Sequence, residues 1–444
     1  MVRVPGSAIR SPRGAVSGGM VFGRLAVAVA FGYLGGMVAS CSAPASETVT
    51  KRPSTGNQYV VEFVVTPLPE QSVVEVRMIV DQSQHLLREV RMNVPATHFS
   101  DFAGDGDLEI SDDHAVWSTP PAGGQLSWVV SVNRKKSKSA YDAYMTDDWA
   151  LFRASDIIPP AATRTIAGAS SRTSIEFILP PNWSSMTEYE GTHHRYDVRN
   201  PQRRYDRPTG WILLGRIGTR TDEIAGTRVT VAAPLNHDVR RLDMLAMLRW
   251  TMPEVARVFT DFPARLTVFS ANSPMWRGGL SAPASVYLHA DRPLISENGT
   301  STLLHEVIHV GVGASAAAGA DWVIEGVAEY FSLQMLLRSG TISRNRYNAA
   351  LDKLDAWGRG VANLCGPSSS GAVTARAAVL MHKLDQEIQA STKNEKNLDD
   401  VIGVLAAGDQ KISIADLQTT VEELLEAESI VLRNAPLDDC AISG

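Results

Sequence analysis

The chain has 444 residues, room for two or three domains that each bury a core, so a small disulfide-stapled scaffold is excluded. Hydrophobic residues make up 44% and charged residues 20%, the composition of a folded globular protein rather than a disordered, collagenous or coiled-coil one. With 42 Lys+Arg against 48 Asp+Glu the net charge is -6, and no basic run supplies the stripe that phosphate neutralisation needs, which argues against nucleic acid as a partner.

Residues 25–40 are the one long apolar stretch without a charge, preceded by Arg3, Arg10, Arg13 and Arg24. It is short for a membrane span and reads as the apolar region of a secretory signal, and a start at Met20 would give it a more usual length. It ends in Val38-Ala39-Ser40-Cys41, which resembles a bacterial lipobox. The resemblance implies that residues 1–40 are a lipoprotein signal peptide, that the chain is cut before Cys41, and that the Cys41 thiol is acylated. It would then sit in the cell envelope, anchored on the periplasmic side, and Ser42 implies sorting to the outer membrane. Setting Cys41 aside leaves Cys365 and Cys440 in a compartment that oxidises thiol pairs, so a disulfide between them is expected, with two unpaired buried thiols as the alternative.

Residues 41–56, rich in Ser, Thr and Pro, read as a flexible linker. From 57 to 235 the pattern is strand after strand: Val74, Val76, Met78 and Val80 alternate with other residues, as do Leu126, Trp128, Val130 and Val132. Ala103-Gly104-Asp105-Gly106 and Pro120-Pro121-Ala122-Gly123-Gly124 mark turns between them. The polar stretch 192–208, with His193 and His194, reads as a solvated loop. This half is predicted to be a β-rich domain.

The pattern changes at residue 236. A helix capped by Asp238 is predicted to run to about Phe259 with Leu242, Leu245, Leu248 and Met252 as its buried stripe. Strands are expected at 265–269 and 285–289, then helices at 300–312, 322–338, 343–357, 372–390, 397–406 and 414–428. The fold class is therefore α+β and multidomain: an N-terminal β-rich domain, an α+β core over 236–340, and a mostly helical C-terminal part over 341–444.

The strongest chemical signal is His305-Glu306-Val307-Ile308-His309. Histidines four apart on a helix share a face and can reach one cation, while Glu306, rotated by one residue, can serve as a base instead of a ligand. Leu303, Leu304, Val307 and Ile308 make the helix apolar enough to bury, and Thr300 or Ser301 can cap it. After Gly311, Gly313 and Gly319, read as a flexible turn, Asp321 is expected to cap a second helix. That helix brings Glu325 as third ligand, with Glu329 one turn on to orient a ligating histidine.

HExxH followed by Trp322-Val323-Ile324-Glu325-Gly326-Val327-Ala328-Glu329-Tyr330 resembles the gluzincin metallopeptidases, in particular the thermolysin-like domain of the glycyl aminopeptidases and of the leukotriene hydrolase type of aminopeptidase. Trp276-Arg277-Gly278-Gly279-Leu280 through Val286-Tyr287-Leu288 is similar to the edge strand on which those enzymes lay a peptide, which makes Gly278, Gly279 and Leu280 substrate-binding residues. The resemblance implies one Zn2+ per chain on His305, His309 and Glu325, with Glu306 as general base, and hydrolysis of peptide bonds in peptide or protein substrates.

Two departures stand out. No tyrosine follows Tyr347, so the family's oxyanion-stabilising tyrosine is absent from Val373-Thr374-Ala375-Arg376, leaving Tyr330, Tyr347 or His382 as substitutes. This motivates an alternative, a non-catalytic envelope binding or assembly protein that keeps the fold. Residues 278–283 also hold no carboxylate for a substrate's free amine. Unless Glu329 or Glu297 serves, the site is expected to prefer internal bonds or tolerate a blocked N-terminus.

Overall fold

The computed structural model describes residues 56–200, 205–408 and 411–437, all within one compact unit that begins at Pro53. The signal region, Cys41, most of the linker and Cys440 lie outside the described residues.

The alternating apolar residues of the first half form three sheets around one core. The largest has seven strands in the order Glu190–Thr192, Arg195–Val198, Ser170–Phe177, Gln58–Leu68, Val73–Asp81, Gly123–Ser131 and Phe99–Gly104. Its two central strands turn Val61, Phe63 and Val65 and Val74, Val76, Met78 and Val80 into the interior, as the period of two demands. A four-stranded sheet closes this core, and a five-stranded sheet built on Trp149–Arg153 and Trp211–Gly215 faces the second half. Residues 190–198 are a hairpin rather than the predicted solvated loop: His193 and His194 take positive φ at its two-residue turn, and His194 Nδ1 lies 2.9 Å from Ser185 Oγ.

The second half is built on a mixed sheet in the order Ile217–Ile224, Thr227–Pro234, Arg265–Ala271, Ser285–His289 and Gly279–Ala282. Its first two strands, read from sequence as part of the β-rich half, pair here because Arg228–Ala232 run parallel to Arg265–Phe269. The helices of the described residues are α1 (Ala154–Ile157), α2 (Arg241–Val258), α3 (Thr302–Val312), α4 (Asp321–Arg338), α5 (Arg344–Gly358), α6 (Ala372–Ser391), α7 (Leu398–Ala406), α8 (Ile414–Leu425) and α9 (Ile430–Arg433). None is long and apolar enough to cross a membrane. The architecture is thus the expected one, a β-rich N-terminal half followed by an α+β half with a helical C-terminal part.

Local details differ from the sequence reading. Helix α2 has no side-chain cap from Asp238, and Leu242 is 65% exposed, because the buried face is Met244, Leu245, Met247, Leu248, Met252 and Val255. Gly311 belongs to α3 rather than to the turn; a Cβ there would sit 2.8 Å from the Phe259 ring. The break falls at Gly313, which ends α3 with φ +63. Asp321 is the first residue of α4 and accepts Ser369 N–H instead of capping its own helix.

The mixed sheet is covered on both faces. Val229, Val231, Val268, Val286 and Leu288 meet the helices, while Ala232, Phe269, Ala271 and Tyr287 meet Trp149, Leu151, Trp211 and Leu213 of the first half. Trp211 is fully buried, and its indole N–H donates to Leu280 O at 3.0 Å, so the first half grips the edge strand directly. Trp211→Ala is expected to cost about 3–5 kcal/mol, and Trp211→Phe, which leaves the Leu280 carbonyl without that donor, about 1–3 kcal/mol. Urea midpoints of both variants against wild type check this; a Trp211→Phe midpoint equal to that of wild type would show that the indole hydrogen bond contributes nothing.

Candidate metal centre

Helix α3 starts where Ser301 Oγ accepts Leu304 N–H, and Leu303, Leu304, Val307 and Ile308 are all fully buried. This fixes the rotation of the helix and sends His305 and His309 out on the opposite face toward α4. On α4, Glu325 and Glu329 are one turn apart and face α3. On another side, Gly326 lets α4 pack closely on α6: a Cβ there would lie 2.9–3.1 Å from the Cβ and backbone of Ala377.

The three expected ligands converge. His305 Nε2 lies 3.1 Å from His309 Nε2, and Glu325 places Oε2 at 3.4 Å from the first and Oε1 at 3.4 Å from the second. Tetrahedral zinc with bonds of about 2.0–2.1 Å holds its donors roughly 3.3–3.4 Å apart, so these separations fit the ion. Glu329 Oε2 stands 3.0 Å from His305 Nδ1. A proton on Nδ1 donated to Glu329 leaves the Nε2 lone pair facing the other two donors. Among the described residues this is the only group of His, Cys, Asp and Glu with such spacing, and His193 and His194 are not part of it.

The electrostatics agree with a cation site. Burial works against charge on His305, but hydrogen bonds to Glu325 and Glu329, with Glu306 nearby, outweigh it and push its pKa up to about 10. Burial likewise opposes charge on Glu325, yet the two imidazoles pull its carboxyl down to about 2.

Glu306 lies outside the donor trio. It is 7% exposed, and its Oε2 accepts Ser281 N–H from the edge strand at 2.8 Å. The helix comes this close because residue 279 is glycine; a Cβ there would meet Glu306 Cγ at 2.9 Å and Thr302 Cγ2 at 2.7 Å. Sequence reasoning did not find the Ser281 donor, since a backbone N–H leaves no residue signature. The strand also refines the expected substrate residues. Gly278 O accepts His289 N–H and Leu280 O accepts the Trp211 indole, so these two face inward, whereas Ser281 faces the open edge and Gly279 shares that side by alternation.

The substitutes for an oxyanion tyrosine are otherwise engaged. The Tyr330 hydroxyl donates to Asp385 Oδ2 at 2.6 Å, and the Tyr347 hydroxyl accepts from Gln334 Nε2 at 2.8 Å. His382 packs against both rings rather than lying on the surface. Cys365 is disulfide-bonded, at the loop that leads to Ser369.

No family model matches the sequence, and neither does any curated protein. Solved structures do. An aminopeptidase N family protein from Idiomarina loihiensis superposes with a TM-score of 0.60 at 16% identity, over 78% of this chain and 70% of that one. An M1 zinc metallopeptidase from Deinococcus radiodurans gives 0.56 at 14% identity, over 85% and 91%. A mutant of the Deinococcus enzyme bound to a Tyr-Ser-Ala substrate gives 0.56 at 14%, over 85% and 92%. The likeness is one of fold: the chain has the architecture of M1 zinc metallopeptidases.

The hydrogen bonds to Glu325 and Glu329 favour the protonated imidazole of His305 and raise its pKa, so zinc binding should release a proton and affinity should rise with pH between 6 and 8, by up to about tenfold per unit. Chelator competition at stepped pH measures this; a flat profile would mean that zinc binds without displacing that proton.

Proposed function

We propose that the protein is a zinc metallopeptidase. The observation that carries this reading is Glu306: a carboxylate on α3 outside the donor trio, hydrogen-bonded to an edge strand along which an extended peptide can lie. A metal that only stabilised the fold would need no such group, which disfavours the non-catalytic alternative. The fold shared with M1 metallopeptidases, one of them with a bound tripeptide, supports a peptide substrate.

His305, His309 and Glu325 would hold the ion, and Glu329 would orient His305. Zinc held by this set supplies Lewis acidity, polarising a carbonyl and acidifying a water. Glu306 takes a proton from the attacking water; the carbonyl carbon gains the hydroxyl, the C–N bond breaks, and the proton passes from Glu306 to the leaving nitrogen. The Ser281 N–H keeps one carboxylate oxygen in place through both transfers.

His305→Ala or His309→Ala should lose stoichiometric zinc. Glu306→Gln should keep it and lose turnover by at least about 100-fold, because the base is not a ligand. Metal analysis beside hydrolysis of a mixed peptide library tests this, and equal turnover by Glu306→Gln and wild type would overturn it.

We further propose, from the lipobox-like Val38-Ala39-Ser40-Cys41, that acyl chains on Cys41 anchor the protein in a bacterial envelope, sorted to the outer membrane. Cys41→Ser should abolish labelling by a fatty-acid probe and leave the precursor uncut; continued labelling would refute the anchor.

A further inference from the structure

A cavity of about 1200 Å3 borders the metal centre at His309. His309 and Val310 border it on the α3 side, residues 281–284 form its floor as the edge strand ends, and Glu190 and Asp197 of the hairpin make the opposite wall. It therefore prolongs the edge strand past the reacting centre instead of closing behind it. The volume exceeds the roughly 300–1,000 Å3 that encloses a drug-sized ligand, so one terminal residue would leave most of it unfilled.

We infer that this cavity receives several residues of an extended polypeptide on the N-terminal side of the bond cut, which makes the protein an endopeptidase. The inference rests on the peptidase reading above and specifies its substrate. Three observations support it.

The first is direction. Gly279–Ala282 is the last strand of its sheet, and an added peptide gains most by pairing antiparallel to it. Its N-terminal portion then runs toward Ala282 and Ala284, into the cavity.

The second is the lack of an anchor for a terminal ammonium on the strand, where burying that charge unpaired costs several kcal/mol. Of the two carboxylates that the sequence offered, Glu329 is committed to His305, and Glu297 is exposed on the turn before α3 and does not line the cavity.

The third is the wall. Glu188 does line the cavity, but it is 5% exposed, and its oxygens accept the Ser285 and Thr209 hydroxyls. Glu190 is paired with Arg265 at 2.8 Å and Asp197 with Arg199 at 3.8 Å. Glu223 and Arg228 also line it, so Arg199, Arg228 and Arg265 are set among Glu188, Glu190, Asp197 and Glu223, and a wall of both signs suits a neutral, polar main chain better than an isolated cation.

The test uses the full-length, zinc-loaded protein with one octapeptide, presented with a free and with an acetylated N-terminus, and identifies first products by mass. Internal cleavage is expected, with the acetylated form cut no more than about tenfold slower. Ser315→Trp, placed at an exposed position on the cavity rim, should lower kcat/KM for the octapeptide by about tenfold or more with zinc content unchanged. Stepwise release of single N-terminal residues, abolished by acetylation, would overturn the inference while leaving the peptidase reading intact; loss of that release in Glu188→Gln would then assign the cavity to the amine. Hydrolysis of neither form, with zinc bound, would overturn both.

Discussion

The hydrogen bond from Ser281 N–H to the Glu306 carboxylate joins the two elements that any chemistry at this site needs: the helix that carries the metal donors and the strand that would carry the peptide. Each also has its own support. The helix is set by its buried face of Leu303, Leu304, Val307 and Ile308, and the strand by its ladder to Ser285–His289. Core packing of the helix on Val286 and Leu288 sets them side by side, and the bond ties the base to the template with a backbone donor, whose place depends on strand register rather than on a rotamer.

Two glycines permit this assembly. Gly279 lets Glu306 lie against the strand, and Gly326 lets α4, which carries Glu325, press against α6. Beside Gly279 the obstacle would be the Glu306 side chain and Thr302, which can give a little; beside Gly326 it would be the main chain of a packed helix, which cannot. The donors at the centre are strong, but the packing around them rests on side chains that are missing from these two positions.

The ligands were legible because HExxH on one helix and Glu325 and Glu329 on the next are local patterns of helical period, and α3 to α8 were legible for the same reason, being long, apolar on one side and mostly capped. Non-local features were not. The pairing of residues 227–234 with 265–271 joins strands separated by α2, and no local pattern encodes it. The hairpin at 190–198 was hidden because both its strands are polar and its turn is His193-His194 instead of Asn-Gly. In α2 three residues of the predicted stripe, Leu245, Leu248 and Met252, are buried as expected, and only Leu242 is not, since Met244 and Met247 complete the buried face.

The grip of the first half on the edge strand has a consequence for how such a chain can change over time. Trp211 reaches the strand at Leu280, and Glu188 reaches its partner strand at Ser285, so the template is braced from a region remote in sequence. Neither half can be exchanged for a homologous one without carrying that brace along. The Trp211 bond ends on a main-chain carbonyl and tolerates any side chain at position 280, whereas Glu188 and Ser285 bond through their side chains, so that pair is the one constrained to change together.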